Sequence, residues 1–420
     1  MRQLSALWSE ASSPRRGLIV PNREIRRSAG FATRLKSHNL CELLFQKYPE
    51  PRYHGSRPMN VNCRTRPTAV DLFSGSGAVT QGLIVGGFEV VAAVDNDPIA
   101  CATYRLNHPA VHLYEKGIED VSPARIRTLQ LHRRNLDLLV VCAPCQPFSS
   151  QNRARKRDPR ARLILHCVRF AAVLKPKLIF FENVPGLVAS RHARIVGQLR
   201  RGLARIGYVL SEPVKVDAAD FGVPQRRLRC IMLAARRKLP AEELLLPPAA
   251  ADRKTVHDAI GHLRRLKSGE RDPDDALHRA RVHQPIALRR LASIPKNGGD
   301  RFALPPELEL DCHRGHDGHP DVYGRMEWDS VAPTLTSGCT DITRGRFAHP
   351  EDDRAITLRE AALLQTFPPA YKISGNASQI AAQIGNAVPV GLVSGLAPIL
   401  KSIVYDTGRQ TSCHGVRSRA

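Results

Sequence analysis

Two side chains in this chain stand where chemistry is done. Cys145 lies in Cys142-Ala-Pro-Cys-Gln-Pro-Phe-Ser-Ser150, directly after the apolar run Leu136 to Val141. That run reads as a buried parallel strand, and a thiol just beyond it sits at the rim of the sheet, where α/β proteins collect reacting groups. Glu182 directly follows the apolar residues Leu178 to Phe181 and opens Glu182-Asn-Val184. A carboxylate in that place is costly unless it is used or paired, so it is either a working acid or an ion-paired rim residue. The residues after Cys145 turn basic through Arg153, Arg155, Lys156, Arg157, Arg160 and Arg162. They form either a loop that touches an anionic partner or a solvated basic surface.

A second group points to a bound nucleoside. Ala69-Val-Asp-Leu-Phe73 runs through Ser74-Gly-Ser-Gly77 into a predicted helix from Ala78 to Ile84. Gly75 and Gly77 allow close backbone approach to a ligand, and the helix start offers free N–H groups. Asp95 ends the next predicted strand, Phe88 to Val94, about twenty positions after the glycine turn, where an acid can bond ribose hydroxyls. An ordinary strand–helix turn would also contain such glycines. Thr80 occupies the third glycine position of the dinucleotide pattern, which counts against a dinucleotide without excluding one.

The elements that must position these groups alternate. Helices are predicted over Pro98 to Asn107, Ala161 to Leu174 and Arg194 to Ile206, and a further strand over Cys230 to Ala234. Alternation over Thr68 to Ala235 predicts an α/β fold with a doubly wound, mostly parallel sheet. Beyond residue 236 it gives way to a Pro-, Arg- and His-rich region, before helical patterns return at Leu358 to Thr366 and Ala377 to Leu400. The chain is therefore expected to divide into a basic, flexible extension over 1–66, a catalytic and cofactor-binding domain over 67–257, a smaller irregular domain with hinge over 258–377, a C-terminal helix over 378–404 returning to the first domain, and a flexible tail over 405–420.

Composition narrows the partner. The 420 residues carry a formal net charge of +24, which favours an anionic partner, nucleic acid first. The ten cysteines show no spacing framework and are expected to be reduced thiols. No apolar run approaches the roughly 20 residues of a membrane span, and residues 1–30 lack a secretory core. Their Arg- and Ser-rich, acid-poor character resembles a transit peptide, but a basic extension is the simpler reading.

In order along the chain, Asp71-Leu-Phe-Ser-Gly-Ser-Gly77, Pro144-Cys-Gln146, Glu182-Asn-Val184, Gln225-Arg-Arg-Leu-Arg229, Thr357-Leu-Arg-Glu360 and Gln383-Ile-Gly-Asn386 resemble the motif series of the cytosine-C5 DNA methyltransferase family over about residues 67–400. Each motif is short, but six in sequence are specific. The resemblance implies S-adenosyl-L-methionine as methyl donor, with Phe73, Gly75, Gly77, Asp95, Ile118, Pro144 and Asn386 around it. It implies Cys145 as the nucleophile that adds to C6 of a flipped-out cytosine, Glu182 as the acid at N3, and Arg227 and Arg229 holding the base and orienting glutamate and thiol. It implies double-stranded DNA as partner, contacted by Gln146, Ser149, Arg153, Arg155, Thr334 and Leu335, with target recognition in about residues 258–345, a monomeric state and a place in the bacterial cytoplasm or nucleoid. Two departures stand out. Asn96 replaces an aromatic residue after the ribose acid, and Lys116-Gly-Ile118 lacks an acid near the third strand.

Other readings compete. Cys142 and Cys145 form a C-x-x-C pair, though mid-domain rather than at the start of a small redox fold. Cys312, His313, His316, Asp317 and His319 are dense in ligand types, yet their spacing is no known zinc pattern and no metal is expected. A tRNA cytosine-C5 methyltransferase shares this framework, but the Cys-Phe-Thr motif typical of those relatives is missing. A DNA-binding regulator without catalysis would not need Cys145, Glu182, Arg227 and Arg229 together.

Overall fold

The computed structural model describes residues 66–132, 134–149, 158–245, 253–315 and 317–412. All of them fall in one compact unit, Arg64–Ala420. Its centre is an eight-stranded sheet of β1 (Thr68–Leu72), β2 (Glu89–Asp95), β3 (His112–Glu115), β4 (Leu138–Val141), β5 (Leu178–Asn183), β6 (Val209–Leu210), β7 (Val214–Asp217) and β8 (Leu228–Ala235). The spatial order is β3-β2-β1-β4-β5-β8-β6, with β7 beside β6 on the same edge of β8. Strands β1 to β5 run parallel, whereas β8 is antiparallel to β5, β6 and β7.

The period of two along each strand sorts the side chains into two cores. Val70, Leu72, Leu139, Val141, Ile179 and Phe181 enter one. Ala69, Leu138, Val140, Leu178, Phe180, Ile231 and Leu233 enter the other. Helices cover both faces, so the strands are continuous apolar runs. The first face packs on α3 (Cys167–Leu174) and α4 (Ala193–Arg205) through Phe170, Leu174, Leu199 and Leu203. The second packs on α1 (Ala78–Val85) and a long C-terminal helix. Between α1 and α3 in the chain lies α2 (Pro98–Asn107), with Pro98 at its first turn and Asp97 capping its N-terminus.

Several expectations are corrected here. The edge strand β3 and the short pair β6–β7 carry half-exposed, mixed residues, His112-Leu-Tyr-Glu115 and Val214-Lys-Val-Asp217, so they lack the apolar signature of interior strands. Residues 159–166 form tight 3-10 turns rather than the start of an α-helix, which begins at Cys167. The expected single C-terminal helix is two, α6 (Ala377–Asn386) and α7 (Val390–Ser412), parted at Pro389, and α7 runs on past 404 into the segment expected to be a tail. The stretch Ala377–Asp406 is also long and apolar enough to span a membrane by length and composition, contrary to the expectation. Over half of its most apolar window is buried, and α7 lies against α1, where a Cβ on Gly86 would fall 2.2 Å from Ala397 Cβ.

Residues 253–375 are irregular as expected, with few helices and isolated bridges. A small core surrounds Leu291, Tyr323 and Ile342. A larger one joins Val256, Leu335 and Phe347 to Ala78 of α1 and to α5 (Leu358–Leu364), so this region is welded to the sheet. Thr357 and Glu360 form a capping box at the start of α5, and Glu360 also pairs with the fully buried Arg354.

Candidate active site

The strand order reverses between β1 and β4, and in open α/β sheets ligands bind beyond the carboxyl ends of strands at that switch. The glycine turn follows β1 and Cys145 follows β4, so the two flank the switch point. A cavity of about 820 Å³ opens there. Phe73, Gly75, Asp95, Ile118, Pro144 and Asn386 line it, and so do Cys145, Gln146 and Glu182. The groups expected to hold a nucleoside and those expected to react thus share one space.

The nucleoside end is built for a ligand. Gly75 adopts φ +53, and nothing lies within 4 Å of where its Cβ would stand. Its amide donates to Asp95 Oδ2 at 2.8 Å, and the Asp97 amide donates to Asp95 Oδ1 at 2.9 Å. Each carboxylate oxygen keeps lone-pair capacity for a hydroxyl. Burial pushes this carboxyl above its ordinary range, offset by those amides. Ser74 Oγ, Gln146 Oε1 and Gln383 Oε1 are buried on the cavity residues without a hydrogen-bond partner among the described residues. Buried polar atoms are normally paired, so these orphans fit a polar ligand.

Gly77 has a different role from the one expected. It does not line the cavity. A Cβ there would meet the His108 ring at 2.6 Å and the Tyr371 hydroxyl at 2.8 Å, and its φ is +90. The Tyr371 hydroxyl donates to Ser76 O at 2.6 Å, and His108 Nε2 lies 3.1 Å from Gly77 O. Burial lowers the His108 pKa to about 4, so the ring is neutral. Gly77 lets these two rings clamp the turn from outside.

The reacting end is held by strand pairing. Glu182 lies opposite Ile231 in the β5–β8 ladder, which places Arg229 diagonally on the same face. Arg229 Nε donates to Glu182 Oε1 at 2.7 Å, with both side chains under a tenth exposed. Burial still raises the Glu182 carboxyl above its ordinary value, against the pull of Arg229 and Arg227. Burial and the Glu182 charge raise the Cys145 thiol, and the same arginines lower it.

Arg227 is not placed as expected. Its terminal nitrogens donate to Leu335 O at 2.8 Å, Gly385 O at 2.8 Å, Ala387 O at 2.9 Å and Gln225 Oε1 at 3.3 Å. It ties β8 to the irregular region and to the end of α6, and touches the reacting groups only through its field. Leu335 is likewise corrected as a surface contact. Its side chain is buried, and its amide donates to Gln225 Oε1 at 3.0 Å. Thr334 remains at the surface with its hydroxyl bonded to Arg226 O at 2.7 Å. Ser149 closes the turn after Phe148. Arg153, Arg155 and His316 lie outside the described residues. No group of three His, Cys, Asp or Glu able to hold a metal occurs among the described residues.

Two residues with a part in this geometry have no role in the sequence reading. Asn183 Nδ2 donates to Ala143 O at 3.0 Å and fixes the cysteine turn to β5. Gly186 admits the Phe148 carbonyl, which would lie 1.9 Å from a Cβ at that position. The signal for Asn183 was present as a polar residue ending a wholly buried strand, whereas the packing at Gly186 is non-local. Cys142 packs against the core with its thiol pushed well up by burial, as for a packed strand residue, and all cysteines among the described residues are free.

The family model for C-5 cytosine-specific DNA methylases matches residues 68–402. The chain belongs to that family. A type II methylase of Herpetosiphon aurantiacus, M.HgiDII, is 38% identical over 341 residues, covering 79% of this chain and 94% of the relative. The type II methyltransferase M.XorII of Xanthomonas oryzae is 34% identical over 352 residues, covering 77% and 82%. A candidate DNA modification methyltransferase encoded in an Escherichia coli prophage has a similar fold, with TM-score 0.64 at 22% identity over 81% of this chain and 99% of that one. The family uses S-adenosylmethionine as methyl donor, and the open face of Gly75, the amide-held Asp95 and the orphaned polar atoms fit it.

Proposed function

We propose that this protein methylates C5 of a flipped-out cytosine at a specific site in duplex DNA, through a covalent bond between Cys145 and C6. The observation that carries the reading is the single cavity shared by Cys145, Glu182 and the glycine turn with Asp95. C5 of cytosine is too weak a nucleophile to take a methyl group unaided. The Cys145 thiolate adds to C6, electron density moves through the ring, and the protonated Glu182 donates to N3, leaving an enamine with a nucleophilic C5. Arg229 holds Glu182 in place for that donation. When bound, S-adenosylmethionine supplies the electrophilic methyl group. After transfer, loss of the C5 proton to a base expels the thiolate from C6 and restores the ring.

A stacked cytosine cannot reach this space, so the target base must leave the helix. Gln146 and Ser149 at the cysteine turn, Arg153 and Arg155 beyond it, and Thr334 are the proposed DNA contacts. Residues 258–377 serve target recognition, and the segment from 378 closes the cofactor cavity through Asn386. The net charge of +24 suits a phosphate backbone. We assign the protein to a type II restriction–modification setting in a bacterial cytoplasm, acting as a monomer.

The test is incubation with labelled S-adenosylmethionine and duplex DNA, followed by bisulfite mapping of the product. Methylated cytosines at a defined sequence are expected. Cys145→Ala should abolish transfer while cofactor binding stays within about twofold. Transfer to tRNA but not DNA, or turnover by the alanine variant, would overturn the assignment.

A further inference from the structure

β3 ends at Glu115, in register with Asp95 at the end of β2. The chain then turns through residues 116–119, and Lys116, Ile118 and Glu119 line the same cavity as Asp95. Gly117 brings no side chain to this turn. A Cβ there would lie 3.1 Å from Glu119 Oε2 and 3.2 Å from its Cδ, so the Glu119 carboxylate folds back into the space that a side chain at 117 would occupy. That carboxylate has no hydrogen-bond partner among the described residues. The Glu119 carbonyl accepts from Arg169 Nη2 at 3.2 Å, and the carboxylate meets that guanidinium through its charge alone. Arg169 also binds the carbonyls of Ile118 and Val121, which fixes the turn. Ile118 is 3% exposed and offers an apolar face beside the carboxylate.

Neighbouring strand ends lie about 4.8 Å apart, so a base carried by a ribose on Asp95 projects over the turn after β3. There it meets an apolar wall and the Glu119 carboxylate, which lines the cavity, with Asp120 Oδ2 behind it, 3.4 Å from a Cβ at Gly117. We propose that Glu119 is the residue that reads the exocyclic amine of the donor's adenine, taking from two positions along the turn the part that Gly117 cannot play. The proposal rests on the cofactor reading above. A carboxylate favours an amine donor and repels a ring carbonyl in the same place, so the site should discriminate adenine from hypoxanthine.

Calorimetric titration with S-adenosylhomocysteine and S-inosylhomocysteine tests this without turnover. The wild type should prefer the adenosyl compound by about tenfold or more, the range expected for one charge-assisted hydrogen bond at a half-open rim. Glu119→Ala should weaken adenosyl binding about tenfold and leave inosyl binding unchanged or improved. Glu119→Gln, whose amide can turn to either base, should flatten the preference. Thermal unfolding should be unaltered in both variants, since the side chain is exposed. An unchanged adenosyl-to-inosyl ratio in Glu119→Ala would overturn the assignment of Glu119. Failure of the wild type to bind either compound would instead overturn the cofactor reading, and the proposal with it.

Discussion

Arg227 stands directly before β8 and Arg229 within it, yet their surroundings predict opposite consequences for their loss. Arg227→Met leaves the carbonyls of Leu335, Gly385 and Ala387 buried without their donor. Each unpaired buried acceptor costs about 1–3 kcal/mol, so the sum is about 3–9 kcal/mol. Part of this is recovered, because burial disfavours the Arg227 charge strongly enough to lower its pKa well below the ordinary value. A net loss in the lower half of that range is expected, a large share of the roughly 5–15 kcal/mol that holds a domain folded. Arg229→Met removes one bond to Glu182 and one to Leu228 O. The carboxylate left behind can take up a proton, which limits the cost to about 1–2 kcal/mol. Urea unfolding at neutral pH, run beside binding of S-adenosylhomocysteine, separates the two. Arg227→Met should unfold at markedly lower urea, and Arg227→Lys should not restore it, since one ammonium cannot reach four acceptors. Arg229→Met should unfold near the wild type and bind the ligand, but transfer methyl groups much more slowly. Wild-type stability in Arg227→Met would refute the clamp and return Arg227 to the reacting groups.

Three further outcomes are expected. Asp71 is wholly buried, with a pKa raised from 3.8 to about 7 mainly by desolvation. Between those values the folded state holds a proton that the unfolded chain has lost, so stability falls by about 4 kcal/mol as pH rises from 4 to 7 and is level above; Asp71→Asn should abolish that slope in urea titrations at pH 5 and pH 8. Gly77→Ala forces a side chain into left-handed backbone against His108 and Tyr371, and should cost about 1–3 kcal/mol and weaken S-adenosylhomocysteine binding; full binding would show that the outer clamp is irrelevant to the turn. The pH profile of methyl transfer should be bell-shaped with two limbs that belong to the Cys145–Glu182 pair as a whole, and residual activity of Arg229→Met should show both limbs moved upward, because Arg229 lowers both groups.

The interior of the sheet was legible because β1, β4 and β5 are buried on both faces and read as unbroken apolar runs. The strands at its edges were not, because half-exposed residues such as those of β3 have no such run. Cys145, Glu182 and Asp95 were legible as chemical groups at strand ends, where the fold gathers them. Arg227 and Leu335 were not, because their partners are main-chain carbonyls and amides about 110 to 160 residues away, and no local pattern records a contact of that kind. Motif position alone gave the two arginines one role, whereas strand geometry gives only Arg229 the glutamate.

Cys145 and Glu182 also constrain each other in a way that no list of site residues expresses. The proposed reaction needs the thiol without its proton and the carboxyl with one. Both groups are buried and both are raised, and negative charge on Glu182 raises the Cys145 thiol further. Two anions in this space are therefore the least favoured state, and the form that the proposed reaction uses carries one negative charge on the pair. Moving that charge onto sulfur while the proton rests on Glu182 costs least when Arg229 is near both, because its field compensates either anion. The arrangement with thiolate and neutral acid is the one that can add to C6 and donate to N3 in the same step. Arg229→Met should then depress the rate even at the pH where its own profile peaks, because the shared charge loses its compensating cation whichever atom carries it. Recovery of the wild-type rate at that shifted optimum would mean that Arg229 serves only to set the two pKa values.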